Sequence, residues 1–209
     1  MVGKNIKHWY DGKLYTIFIA PFQRSIFKKI SDEIEEGSSV LDIASGTGEF
    51  SIMTAGKFRK VTGVDLSESN IIESKKRASR KGLRNLDFIH YDASKLEDVI
   101  DEKYDYAIVT FAIHEMPEEM RTKVLQQMKK AAKTVIIADY VSPMPRTPYG
   151  IGVRIIEYFA GREHFKGYLS YQKIGGLDHY IEKTGFMHHS DIFGHNGHSR
   201  IAVLKSNKD

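Results

Sequence analysis

Three aspartates, Asp42, Asp65 and Asp92, sit within or just after short apolar runs, and two glycines, Gly46 and Gly48, follow the first of them. A strand that passes through glycines into a helix presents backbone N–H groups and a positive helix end to a ligand. Glycine lets such a turn take positive φ and lets the ligand come close. Asp65 ends the run Val61-Thr62-Gly63-Val64, about 20 positions after Gly46, where a carboxylate reaches ribose hydroxyls. Asp42 lies inside the run Val40-Leu41-Asp42-Ile43, where its carboxylate is costly to bury without a cationic or donor partner. The pyrophosphate fingerprint G-x-G-x-x-G has Ser51 at its third position here. Together these residues favour an adenosyl ligand that carries a cation. They disfavour a nicotinamide oxidoreductase.

The elements that must position these groups follow from periodicity. Val40–Ile43, Val61–Asp65, Leu86–His90, Tyr104–Thr110 and Thr134–Ala138 read as buried strands. Helices are expected over 50–58, from Ser67 to Lys81 with a cap at Ser67, over 96–100, and from Pro117 to about Ala132. Strands alternating with helices at this spacing mean a Rossmann-like α/β fold, a mostly parallel sheet with helices on both faces. Its ligands bind outside the carboxyl ends of the strands. Residues 13–35 are amphipathic, with Pro21 expected to break or kink the helix. Residues 142–170, with three prolines and four glycines, read as an insertion, 171–184 as one helix, and 186–193 and 200–204 as a closing hairpin.

The stretch V-L-D-I-A-S-G-T-G at residues 40–48, with Asp65 after the next strand, resembles the cofactor loop of class I S-adenosylmethionine-dependent methyltransferases. It is most similar to the ubiquinone/menaquinone-biosynthesis branch. The resemblance implies a seven-stranded sheet of order 3-2-1-4-5-7-6 with an antiparallel closing hairpin. It implies one domain over 1–209: an N-terminal helical lid (1–35), a cofactor-binding core (36–141), a substrate-cap insertion (142–170) and a closing helix and hairpin (171–209). S-adenosyl-L-methionine is the expected cofactor and a small molecule the expected acceptor. Ala44, Gly46 and Gly48 would admit the ligand, with Asp42 orienting its ammonium and Asp65 its ribose. Leu66 would pack on the adenine, and Asp92 and Ala93 would read its edge. Asn70, Tyr15, Thr110 and Phe111 complete the expected cofactor contacts. Tyr10, on the lid, is a catalytic candidate.

In-line methyl transfer needs a base only where the acceptor must lose a proton. His114, in Phe111-Ala112-Ile113-His114-Glu115-Met116-Pro117 past the fourth strand, is the expected base, with an ordinary pKa of about 6.5. His164 and His179 flank the insertion and are within reach of a substrate. No metal set is expected: His188 and His189, adjacent on a strand, point to opposite faces.

Composition bounds the rest. The chain has 209 residues, 41% of them hydrophobic and 28% charged, which is ordinary for a globular protein. It has no cysteine, hence no thiolate chemistry, and no apolar leader is visible, which fits the cytoplasm. A net charge of +4, spread along amphipathic helices, gives no nucleic-acid stripe. Two other readings are a quinone or lipid methyltransferase touching the membrane surface through residues 142–170, and a non-catalytic cofactor-binding module.

Overall fold

The computed structural model describes residues 13–206, with side chains from Gln23 onward except that of His195. Seven strands, β1 (Ser39–Ile43), β2 (Lys60–Asp65), β3 (Leu86–His90), β4 (Tyr104–Thr110), β5 (Ala132–Tyr140), β6 (Met187–Gly194) and β7 (Ser199–Lys205), form one sheet. Its order is β3-β2-β1-β4-β5-β7-β6, parallel except where β7 pairs with β5 and β6. This is the expected order and closing hairpin. The chain reverses direction across the sheet between β1 and β4, so the carboxyl ends of those strands flank the crevice where such folds take ligands.

Strand alternation divides the core into two layers. Leu41, Ile43, Ala107, Val109, Val135 and Ile137 face one side, under α4 (Glu118–Ala131) and α7 (Leu177–Thr184). Val40, Ile108, Ile136 and Ala138 face the other, under α1 (Lys13–Asp32) and α2 (Glu49–Thr54). Ile26, Phe27 and Ile30 of α1 are buried in this second layer, so the end of α1 is core. The helix runs through Pro21 without the expected break. Tyr10 lies outside the described residues, as does the side chain of Tyr15.

Other expectations need correction. The helix after the glycine loop ends at Thr54, four residues short of the expected 58, because Ala55, Gly56 and Lys57 form a turn leading into β2. In place of a helix over 96–100, a 3-10 turn covers Ala93–Asp98, capped by Asp92. The insertion is helical, with α5 (Pro148–Phe159) and α6 (Arg162–Ile174). The expected single helix 171–184 is divided between α6 and α7. Gly175 and Gly176 take φ of 101° and 63°, which stop the first helix and turn the chain into the second.

Candidate active site

The cofactor end is built on the turn between β1 and α2. Ala44 (φ 54°), Gly46 (φ 54°) and Gly48 (φ 75°) all take left-handed backbone there. The space beyond Gly46 is open, so a ligand can approach its backbone. Gly48 has a second reason to be glycine: a Cβ there would meet the Phe88 ring at 2.8 Å. Asp65 holds the turn in place. Its Oδ2 accepts from the Gly46 N–H at 2.8 Å, while Oδ1 accepts from the Ser67 N–H at 2.8 Å and from Asn70 Nδ2 at 3.3 Å. Asn70 sits in the first turn of α3 (Glu68–Arg80), whose cap is the Ser67 hydroxyl. Leu66 beside it is 72% exposed, an apolar platform at the strand tip. Asp92 accepts from the Ser94 N–H at 2.9 Å, the capping role that any turn aspartate takes.

Asp42 is 1% exposed. The partner that burial demands is Ser51, whose hydroxyl donates to Oδ2 at 2.7 Å and whose backbone N–H also faces the carboxyl. Both are neutral. Burial therefore prevails and raises the Asp42 pKa from 3.8 to about 7, with Asp65 adding to the rise. Ser51, which sequence reasoning saw only as a missing glycine, is the group that makes a buried carboxyl tolerable. In the turn itself Ser45 Oγ is buried with no hydrogen-bond partner.

Across the crevice, Thr110 ends β4 and Phe111 turns the chain at φ 49°, its N–H donating to the Ala138 carbonyl at 2.7 Å. The Phe111 ring packs on Tyr140 (centroids 5.3 Å apart), and Tyr140 on His114 (4.7 Å). This aromatic wall leads from the glycine turn to a second polar cluster.

That cluster is centred on His114, which is buried. Its Nδ1 lies 2.6 Å from Asp139 Oδ1, and its backbone N–H donates to the other Asp139 oxygen at 3.1 Å. Its Nε2 lies 3.5 Å from Glu157 of α5 and 4.0 Å from Glu115. Glu157 also accepts from the Tyr140 hydroxyl at 3.0 Å and lies 2.5 Å from His164 Nε2 of α6. Burial pulls the His114 pKa down, but Asp139 and Glu157 outweigh it and hold the pKa well above 6.5. Burial pushes Glu157 up, but the two histidines outweigh it and hold Glu157 below the usual carboxylate range. No sequence pattern signalled this upward shift, which arises because carboxylates from β5 and α5 enclose the imidazole.

Two features bring α6 to this place. Gly167 packs so closely that a Cβ would lie 2.8 Å from the Glu115 carbonyl oxygen and 3.0 Å from that of His114. The buried guanidinium of Arg121 ties the layers together, donating to the Met116, His114 and Gly167 carbonyls, to Ser170 Oγ and to the Tyr180 hydroxyl at 2.7–3.2 Å.

Sequence reasoning missed Glu157, Arg121 and Asp139 as partners. The one available signal was a glutamate on the mostly apolar helix α5, seven residues before His164 across Gly161. Of the other histidines, His179 packs on Tyr180 (centroids 5.0 Å apart), and His198 lies 2.5 Å from Thr147 Oγ1; neither joins the cluster. His188 and His189 are both exposed, because a bulge between His188 and Ser190 breaks the strand alternation that was to separate them.

Residues 40–134 match the family described as a methyltransferase domain. A demethylmenaquinone methyltransferase of Geobacillus stearothermophilus is 30% identical over 164 residues, covering 76% of this chain and 67% of the relative. One of Listeria monocytogenes is 32% identical over 103 residues, covering 48% of this chain and 42% of that relative, so the chain spans less than half of its length. Among solved structures, magnesium protoporphyrin IX methyltransferase of Synechocystis PCC 6803 shares the fold, with a TM-score of 0.66 at 18% identity over 93% of this chain and 88% of that one.

Proposed function

The chain belongs to the class I S-adenosylmethionine-dependent methyltransferases, near the demethylmenaquinone branch, and from that membership we propose that it methylates a small-molecule acceptor. The observation that carries the proposal is Asp42, a buried carboxyl with only neutral partners beside a glycine turn that Asp65 holds. S-adenosylmethionine fits those residues: its ammonium gives Asp42 the cationic partner it lacks. Ser45 Oγ is a further polar atom in want of a partner. When bound, S-adenosylmethionine supplies an electrophilic methyl on a sulfonium.

The chain's own residues do the rest. Asp42 and Asp65 orient the two ends of the ligand, and Leu66 offers it an apolar face. Asp92 and Ala93 stand at the tip of β3, where they would read the adenine edge. Thr110, Phe111 and Tyr140 line the path to the acceptor and exclude water. Holding nucleophile and methyl in line supplies up to about 7–11 kcal/mol in favourable systems. His114 stands at the acceptor end, its Nδ1 held by Asp139 at 2.6 Å.

A second reading is favoured by α5. Ile151, Ile155, Tyr158 and Phe159 form one exposed apolar face on that helix, over the acceptor end. This supports an apolar acceptor, a quinone or lipid, met at a membrane surface. No described helix is long and apolar enough to cross a membrane. A cytoplasmic enzyme that touches the bilayer through α5 fits both observations.

The test is incubation with methyl-labelled S-adenosylmethionine and a panel of phenols, quinols and amines, with and without vesicles. Label transferred to one acceptor class supports the proposal. Cofactor binding with no transfer to any acceptor would favour a binding module instead.

A further inference from the structure

We propose that His114, Glu115 and His164 form a divalent-metal site of the two-histidine, one-carboxylate type, taking zinc or a similar first-row ion. Their ligand atoms lie within 4.8 Å of one another. Glu115 Oε2 is 3.5 Å from His164 Nδ1, and Glu115 Oε1 is 4.0 Å from His114 Nε2. Ligands on one tetrahedral zinc, each roughly 2.0–2.2 Å from it, stand about 3.4 Å apart. Side-chain shifts of less than about an ångström therefore complete the coordination.

The orientation of the imidazoles is the stronger argument. A metal-bound histidine commonly gives its other ring nitrogen to a carboxylate, which fixes tautomer and aim. Both histidines have that arrangement here. Asp139 holds Nδ1 of His114 at 2.6 Å, and Glu157 holds Nε2 of His164 at 2.5 Å. The remaining nitrogen of His164 faces Glu115, and that of His114 lies between Glu157 at 3.5 Å and Glu115 at 4.0 Å. For His114 that nitrogen, Nε2, is buried and has no hydrogen-bond partner. A buried polar atom of this kind calls for a partner.

Carboxyl groups are plentiful around the two imidazoles: Asp139, Glu157 and Glu115, the last with its pKa raised by burial to about 7. Arg121 lies behind the cluster and spends its donors on carbonyls and hydroxyls. Imidazole coordinates in its neutral form, so metal binding here is accompanied by release of any proton on the ligating nitrogens. Glu115 is 35% exposed and His164 14%, which leaves an entry path and an open coordination position. Histidine nitrogen with a single carboxylate suits zinc or iron(II) better than magnesium, which prefers an all-oxygen shell.

The experiment is calorimetric titration of the untagged, chelator-stripped full chain with zinc chloride, and separately with magnesium chloride. Methyl transfer plays no part in it, so its outcome is independent of the proposed activity. Wild-type protein should bind one zinc per chain, with no magnesium response at the same concentrations. His164→Ala and Glu115→Gln should each weaken zinc binding at least about tenfold, since even orienting partners contribute 10–100-fold. Should His164→Ala fail to fold by circular dichroism, Glu115→Gln decides. The double variant His188→Ala/His189→Ala should bind as wild type does. No saturable zinc binding, binding unchanged in Glu115→Gln, or loss only in the His188/His189 variant would overturn the proposal.

Discussion

Ser51 donates its hydroxyl hydrogen to Asp42 at 2.7 Å, and that neutral partner leaves a buried carboxyl with a pKa raised from 3.8 to about 7. Between these values the native state keeps a proton that the unfolded chain releases. Stability therefore falls as pH rises through this window, by up to about 1.4 kcal/mol per unit. Urea melts at pH 5, 6 and 7 should show a steeper fall for wild type than for Asp42→Asn. Parallel curves would mean that Asp42 does not titrate there. Affinity for a ligand with an ammonium should move the opposite way, rising with pH up to about 7 in wild type and staying level in Asp42→Asn.

Asp65 combines two tasks, since it must hold the Gly46 turn and is placed to meet the ribose. Charge-assisted hydrogen bonds contribute roughly 1.5–3 kcal/mol each. Asp65→Ala should weaken S-adenosylhomocysteine binding at least about tenfold, with far-UV circular dichroism unchanged. Wild-type affinity in calorimetry would remove Asp65 from the site.

Arg121 is wholly buried, and its removal would leave three carbonyls and two hydroxyls without their donor. Arg121→Ala should cost about 3–5 kcal/mol in denaturant melts, in the range for breaking a buried charged network. A loss below about 1 kcal/mol would show that water takes its place.

Gly167 lies in the middle of α6, where alanine is intrinsically better by roughly 1 kcal/mol. The 2.8 Å approach to the Glu115 carbonyl reverses that preference. Gly167→Ala should destabilise by about 1–3 kcal/mol, as overpacking does. A stabilised variant would show that α6 can move away from the loop at no cost.

The sheet was legible because buried parallel strands are continuous apolar runs, as in Thr134–Ala138, and their ends mark the crevice. The glycine turn, Asp42 and Asp65 were legible for the same local reason. The acceptor end was not. The upward shift of His114 comes from Asp139, 25 residues on, and from Glu157 on another element, so no local pattern carries it. The approach of His164 depends on Gly167, which reads in sequence as a helix weakness and acts in the fold as a contact. Gly175-Gly176 was read through because the apolar spacing continues on both sides of the break.

The central claim is that the crevice over β1 and β2 is an S-adenosylmethionine site. Calorimetric titration of the wild-type chain with S-adenosylmethionine at pH 7.5, beside NAD and ATP, tests it most directly. Saturable binding of one S-adenosylmethionine per chain, lost in Asp65→Ala and matched by neither nucleotide, is the predicted result. No saturable binding of S-adenosylmethionine, or preferential binding of NAD or ATP, would contradict it.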